Sequence, residues 1–198
     1  MKTFEEKKFN IPALKGISAK NIEEHLKLYA GYVKHANLIV TKIAELSKNT
    51  DAHAYEIGEL QRRFGFEFDG MRNHEIYFAS LEGGAQPLAD NSSLRGDIAS
   101  EWGSFEAWLS LFTQVAKTRG IGWAVLYYDK KSDRLMNAWI DEQHLGQLNG
   151  ATPILMLDMW EHSFVADYHP SGKANYIADF FANLNWSVIE KNYSEAVK

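Results

Sequence analysis

The longest regular pattern of apolar positions in the chain starts just after Ser18 and runs to about Ser47. Along it His25, Tyr29, Tyr32, Ala36 and Ile39 recur in steps of four, three, four and three, which puts them on one face of a long helix. Ser18 suits the N-cap, and Glu23 and Glu24 fall in the early turns, where the helix dipole favours acids. His25 and Tyr32 then lie two turns apart, about 10 Å along the axis, close enough to border one pocket. A second helical pattern covers Ala54 to about Leu81, with Gly70, His74, Tyr77, Phe78 and Leu81 on one face of its far half. Phe64-Gly65 and Asp69-Gly70 are the places where it would break. Glu82-Gly83-Gly84-Ala85-Gln86-Pro87 reads as a loop and as the domain boundary. Two shorter helices follow, Ser93 to Trp102 and Ser104 to Thr118, the second with Phe105, Trp108, Leu109, Phe112 and Val115 toward the core. The pattern then changes: Gly122 to Tyr128 and Leu135 to Ile140 flank the turn Asp129 to Asp133 as a β-hairpin. Ile154 to Asp158 is a third strand, and residues from about Lys173 to Tyr193 give two closing helices. Residues 1 to about 17, with Pro12 and Gly16 and little periodicity, read as an extended arm.

The fold class is therefore α+β. A long helical hairpin forms an N-terminal domain, residues 1–84, and a C-terminal α/β domain, residues 85–198, carries a three-stranded antiparallel sheet. A length of 198 residues is ample for a core. Nothing resembles the roughly 18 consecutive apolar residues of a membrane span, and no apolar signal segment follows Met1-Lys2-Thr3, so the expected location is cytoplasmic. With no cysteine, disulfides, thiolate metal sites and iron–sulfur clusters are excluded, and any metal must be held by His, Asp or Glu. Net charge is -5 with Lys and Arg spread along the chain, which leaves no footprint for nucleic acid. An anionic substrate would need a local positive field to override that sign.

Asp158 and His162 stand four residues apart, directly after the apolar run Ile154-Leu155-Met156-Leu157, where both can reach one metal ion. A lone Asp-x-x-x-His is most often chance or ordinary polarity, so its surroundings decide. Trp160 between the two would keep a site dry, while Glu161 points the opposite way. His74 and His25 both face inward on two long helices, and an antiparallel hairpin sets them across from one another, as bundle metal sites require. Three imidazoles and one carboxylate suit iron, manganese or zinc with a position left open for a small ligand.

Asp158-Met159-Trp160-Glu161-His162 resembles the D-x-W-E-H signature of the iron/manganese superoxide dismutases. The resemblance extends in family order through His25 with Tyr32-Val33, Asn73-His74, Gly103-Ser104-Phe105-Glu106, Gly120-Ile121-Gly122-Trp123 and Asn185-Trp186. It implies the architecture above, one iron or manganese ion per subunit (or either), and His25, His74, Asp158 and His162 as ligands with water or hydroxide as the fifth. It also implies conversion of superoxide to O₂ and H₂O₂ by alternate oxidation and reduction of that ion. Tyr32 becomes the proton donor at the cavity mouth, Trp123 and Trp160 its apolar wall. Glu161 and His162 become the contact of a homodimer.

Several positions depart from the family pattern. A Gln often sits four residues before the second His, but here that position is Gly70, so a Gln or His must come from the loop Asp141-Glu142-Gln143-His144-Leu145-Gly146. His144 is the expected group and Gln143 the alternative; Gln is commoner in manganese enzymes, and His is seen in iron and dual-metal ones. Counting back eight from Tyr32, the usual interval, lands on Glu24, whereas His25 is the better ligand by type. Leu28 and Val165 replace a His and a Tyr that bond across the family's dimer interface. Lys173, three before Tyr176, and Arg72 are candidates for attracting the anion. His35, His53 and His169 read as surface or helix-end residues. The competing readings are a non-catalytic iron- or manganese-binding protein of this fold, and a non-haem iron oxygenase, which the crowding of aromatics disfavours.

Overall fold

The computed structural model describes residues 2–198; the first residue of the arm expected over 1–17 lies outside them. Helix α1 spans Ala19–Leu46 and α2 spans Ala54–Ala79, joined by a short 3₁₀ turn, Ser47–Asn49. The Ser18 hydroxyl accepts the Asn21 N–H, as expected of an N-cap. Glu23 and Glu24 lie just beyond the first turn and pair with Lys27. Neither glycine pair interrupts α2. A helix interior tolerates glycine where something must come close, and Gly70 is such a place: a Cβ there would lie 2.5 Å from Cδ1 of Tyr32.

Helices α3 (Ser93–Trp102) and α4 (Phe105–Ala116) follow, each capped by a serine hydroxyl. Strands β1 (Gly122–Asp129), β2 (Arg134–Asp141) and β3 (Thr152–Asp158) form an antiparallel sheet in the order β2-β1-β3. β1 is central and buried along nearly its whole length, which explains its run of apolar residues on both faces. Gly122 is required where it stands, because a Cβ would strike the Ile140 carbonyl oxygen across the ladder. Helices α5 (Lys173–Asn183) and α6 (Trp186–Ala196) close the chain.

A single apolar core runs through both halves, joining Tyr29, Tyr77 and Phe78 of the hairpin to Trp123, Leu157, Tyr176 and Phe180. The N-terminal arm is tied to both: the Lys7 N–H donates to the Tyr29 hydroxyl at 2.9 Å, and the Lys15 N–H to the Asn183 side chain at 2.8 Å. No helix among the described residues is long and apolar enough to cross a membrane.

Candidate metal centre

Three elements converge at the seam of the two halves. His25 comes from α1, His74 from α2, and Asp158 is the last residue of β3, paired with Trp123 on β1. A 3₁₀ turn, Glu161–Ser163, then brings His162 back over the Asp158 carboxylate. Asp158 Oδ1 accepts the Trp160 N–H at 2.8 Å and its backbone carbonyl accepts the Ser163 hydroxyl at 3.0 Å, which fixes the side chain. The other oxygen, Oδ2, lies 3.1 Å from Nε2 of His25, 3.3 Å from Nε2 of His162 and 3.6 Å from Nε2 of His74. Donor atoms from all four residues fall within 4.8 Å of one another. Donors about 2.1 Å from one ion stand about 3 Å apart at right angles, so the 3.1 to 3.6 Å separations from Oδ2 are close to those of neighbouring ligands on one ion.

The bonding of His74 adds an independent sign. Its Nδ1–H donates to the Gly70 carbonyl at 2.6 Å, so Nε2 carries a bare lone pair. That Nε2 is fully buried and has no hydrogen-bond partner. A buried polar atom left this way is costly unless a cation takes it. The residues therefore fit a metal ion.

Burial keeps the His25 and His74 imidazoles neutral. It lowers the His25 pKa against the opposing pull of Asp158, and it drives His74 down to about 3. For Asp158, burial alone would raise the pKa, but the neighbouring His162 and His25 outweigh it and hold the carboxylate ionised. Neutral imidazoles and an ionised carboxylate are the forms that bind metal.

One side of the centre is closed by a directional chain of hydrogen bonds. The Trp123 Nε1–H donates to Oε1 of Gln143 at 2.9 Å, and Gln143 Nε2 donates to the Tyr32 hydroxyl oxygen at 2.9 Å. An indole N–H can only donate, so the amide oxygen must face Trp123 and the amide nitrogen Tyr32. The Tyr32 oxygen thus accepts, and its own proton is free to be given elsewhere. Burial, then Asp158 and Glu67, push the Tyr32 pKa well up, so the phenol keeps that proton.

The same chain separates the two candidates of the loop after the hairpin by where each side chain lies. Asp141 and Leu145 exchange backbone hydrogen bonds at 2.9 and 3.1 Å, and Glu142 takes a left-handed φ of 52°. That tight turn sends Gln143 inward, fully buried, and the next side chain away from it. His144 packs instead against Phe66, ring centroids 5.7 Å apart, and its Nδ1 has no partner. Gln143, not His144, is the group brought to Tyr32 and Trp123.

Of the remaining expectations, Trp160 stacks on His162 at 5.7 Å and donates its Nε1–H to the Glu142 carbonyl. Glu24 is exposed and bonded to Lys27, away from the ligand cluster that His25 joins. Leu28, Val165 and Glu161 are exposed. Arg72 is committed to the buried Glu75 at 2.8 Å, and Lys173 donates to the Thr118 carbonyl. His35, His53 and His169 are at the surface. Sequence reasoning missed the residues that hold the Gln143 backbone. Asn73 donates to the Gln143 carbonyl at 2.9 Å, and Gln147, itself bonded to the Tyr127 hydroxyl, donates to Asn73 Oδ1 at 3.3 Å. The position of Asn73 beside a ligand was the one available hint; Gln147 carried no signal.

Comparison with known proteins agrees with the site. Residues 90–192 match the family described as iron/manganese superoxide dismutases, C-terminal domain. The iron superoxide dismutase of Cupriavidus metallidurans is 35% identical over 188 residues, covering 93% of this chain and 92% of that protein. The manganese superoxide dismutase of Mycolicibacterium fortuitum is 35% identical over 175 residues, 87% of this chain and 82% of that one. The iron superoxide dismutase of Tetrahymena pyriformis is 32% identical over 179 residues, 88% and 90% respectively.

Proposed function

The chain belongs to the iron/manganese superoxide dismutase family, and from that premise we propose that it converts superoxide to O₂ and H₂O₂ at the centre formed by His25, His74, Asp158 and His162. The observation that carries this reading is the convergence of three imidazole nitrogens on one buried carboxylate oxygen, with the His74 Nε2 left without any other partner.

An iron or manganese ion held by these four residues would supply a one-electron couple that accepts an electron from one superoxide and returns it to another. The chain's own residues do the rest. Trp123 and Trp160 pack aromatic rings against the ligands His74 and His162, and Phe66 backs Trp160, which keeps the surroundings of the centre apolar. Tyr32 holds a proton at its hydroxyl, and Gln143, by donating to the same oxygen, keeps that proton directed away from itself. Trp123 orients Gln143, so the donor geometry does not depend on solvent. We assign the orienting role to Gln143, with His144 outside the site.

Residues 1–84 and 85–198 are read as two units that each lend two ligands, so binding of the ion links them. A homodimer belongs to the same reading. Leu28 and Val165 are exposed apolar side chains, 42% and 43% accessible, at positions where relatives place cross-interface polar groups. Among the described residues His162 bonds only Asp158, and Glu161 of the partner subunit is its proposed second contact. Sedimentation at micromolar concentration tests this, and only monomer would refute it. A cytoplasmic location completes the proposal and is checked by cell fractionation.

The direct test is superoxide decay, followed by its own absorbance, on protein stripped of metal and reloaded separately with iron and manganese. Fast decay with one metal establishes the activity and its cofactor, and fast decay with both establishes dual-metal use. Bound metal without accelerated decay refutes the assignment.

A further inference from the structure

The substrate of the proposed reaction is an anion, and the chain's net charge of -5 repels it. A cation at the entrance would offset that repulsion, and neither cation suggested by sequence is free there. Arg72 is tied to Glu75, which also binds Lys7, and its guanidinium lies near the rings of Phe4 and Phe68 under the N-terminal arm. Lys173 is half-buried, donates to the Thr118 carbonyl, and lines a different hollow with Arg119 and Glu161.

The geometry points to Arg63 as the residue that receives superoxide at the mouth of the site. A surface hollow of about 360 Å³ contains Tyr32 together with Leu28, His35, Arg63, Phe66 and Glu67. Among the described residues Arg63 is the one permanent cation on its wall. Its Nε–H donates to the carboxylate of Glu67 at 2.9 Å, and its guanidinium carbon lies 3.8 Å from the centroid of the Phe66 ring. Phe66 in turn touches Tyr32, centroids 5.9 Å apart, and Trp160 at 6.4 Å, so the guanidinium rests on the same aromatic wall that leads to the metal centre.

Two details make Arg63 a receiver rather than a neutralised surface charge. The bond to Glu67 uses only Nε, and among the described residues the two terminal amino groups have no protein partner. A planar guanidinium with two free, parallel N–H donors matches a small diatomic anion. Glu67 is itself buried, its side chain 8% accessible against 51% for Arg63, so the carboxylate anchors the stem from below while the cation faces solvent. The cation–π contact with Phe66 further restrains the guanidinium.

This inference rests on the proposed dismutation, and its test separates the two. The metal-loaded wild type, Arg63→Gln and Arg63→Lys would be compared at low and high salt. Arg63→Gln is expected to lower kcat/KM by roughly fivefold at low salt, the effect of one unit charge at contact in water, and to leave kcat unchanged. The difference shrinks at high salt as the charge is screened, and Arg63→Lys recovers most of it. Azide, a monovalent anion of similar size, gives a readout without turnover: its association rate, followed by the visible absorption of the bound metal, falls by the same factor. If the wild type dismutates superoxide but Arg63→Gln keeps its kcat/KM and its azide association rate, Arg63 is not the receiver. A loss that is independent of salt and is not recovered by Arg63→Lys likewise overturns the inference and makes Arg63 a support for Glu67. A wild type that binds metal and does not dismutate superoxide fails the functional reading instead.

Discussion

Replacing Gln143 with Ala, alongside the same change at His144, separates the two loop residues by both energy and chemistry. Gln143→Ala leaves the Trp123 Nε1–H without an acceptor at a position of zero accessibility. An orphaned buried donor costs about 1–3 kcal/mol, and the lost packing of the side chain adds roughly 1 kcal/mol. The total, about 2–4 kcal/mol, lowers the midpoint of thermal unfolding by about 5–15 °C for a chain of this size. His144→Ala removes a side chain whose Nδ1 already lacks a partner and forfeits one ring contact with Phe66, so its cost stays below about 1 kcal/mol. In turnover the contrast is larger. Without the amide, the Tyr32 hydroxyl is free to rotate and its proton is no longer directed, which lowers kcat by about 10²-fold; His144→Ala leaves kcat near wild type. Unfolding is measured on the metal-free protein, so that metal affinity does not enter, and turnover on the reloaded one. The reasoning fails if His144→Ala matches the kinetic loss of Gln143→Ala, or if Gln143→Ala unfolds within about 1 kcal/mol of wild type.

Gly70→Ala puts a methyl group 2.5 Å from the Tyr32 ring, and overpacking of this kind costs about 1–3 kcal/mol; denaturant midpoints and a fall in kcat with metal content preserved check it. Asp158→Asn removes the charge shared by three imidazoles and is expected to lose bound metal on dialysis, read by elemental analysis; full retention would contradict the ligand set. The pKa of His74 is depressed to about 3, against about 6.5 in an unfolded chain, so its contribution to stability is present above about pH 6.5 and is lost as pH falls toward 3. The metal-free protein should therefore lose stability on acidification from about pH 7 to about pH 5, by up to roughly 1.4 kcal/mol per pH unit for this one proton, as urea midpoints would record.

Much of this molecule was legible because its signals are local. The two long helices follow from one face of apolar positions, the β-hairpin from alternation around Asp129 to Asp133, and the ligands from residue types placed on those faces. What sequence left open depends on distant partners. The glycines of α2 looked like breaks, but Gly70 is an accommodation to Tyr32, which reaches it from another helix. Gln143 and His144 are adjacent, and which of them turns inward is set by the left-handed φ of Glu142, a conformation that no residue type in the loop announces. Arg72 and Lys173 were reasonable anion attractors by charge alone, yet Lys173 is spent on the carbonyl of Thr118, far away in sequence, and Arg72 on Glu75, one turn on in the same helix, which also binds Lys7 of the arm.

Gly70 meets two requirements at once. Its carbonyl takes the Nδ1–H of His74, which fixes the tautomer and leaves Nε2 as the lone pair aimed at the ligand cluster. Its missing side chain admits the Tyr32 ring, which brings the phenol within reach of Gln143. A larger residue there would push the proton donor out while leaving the ligand in place, because the backbone carbonyl would survive the change. On the proposed roles of Tyr32 and His74, a substitution at Gly70 is expected to lower turnover before bound metal, as superoxide decay and elemental analysis of the same sample would record. In this structure Gly70 leaves that space to the Tyr32 ring, and the amide that meets the Tyr32 hydroxyl comes from the loop after β2.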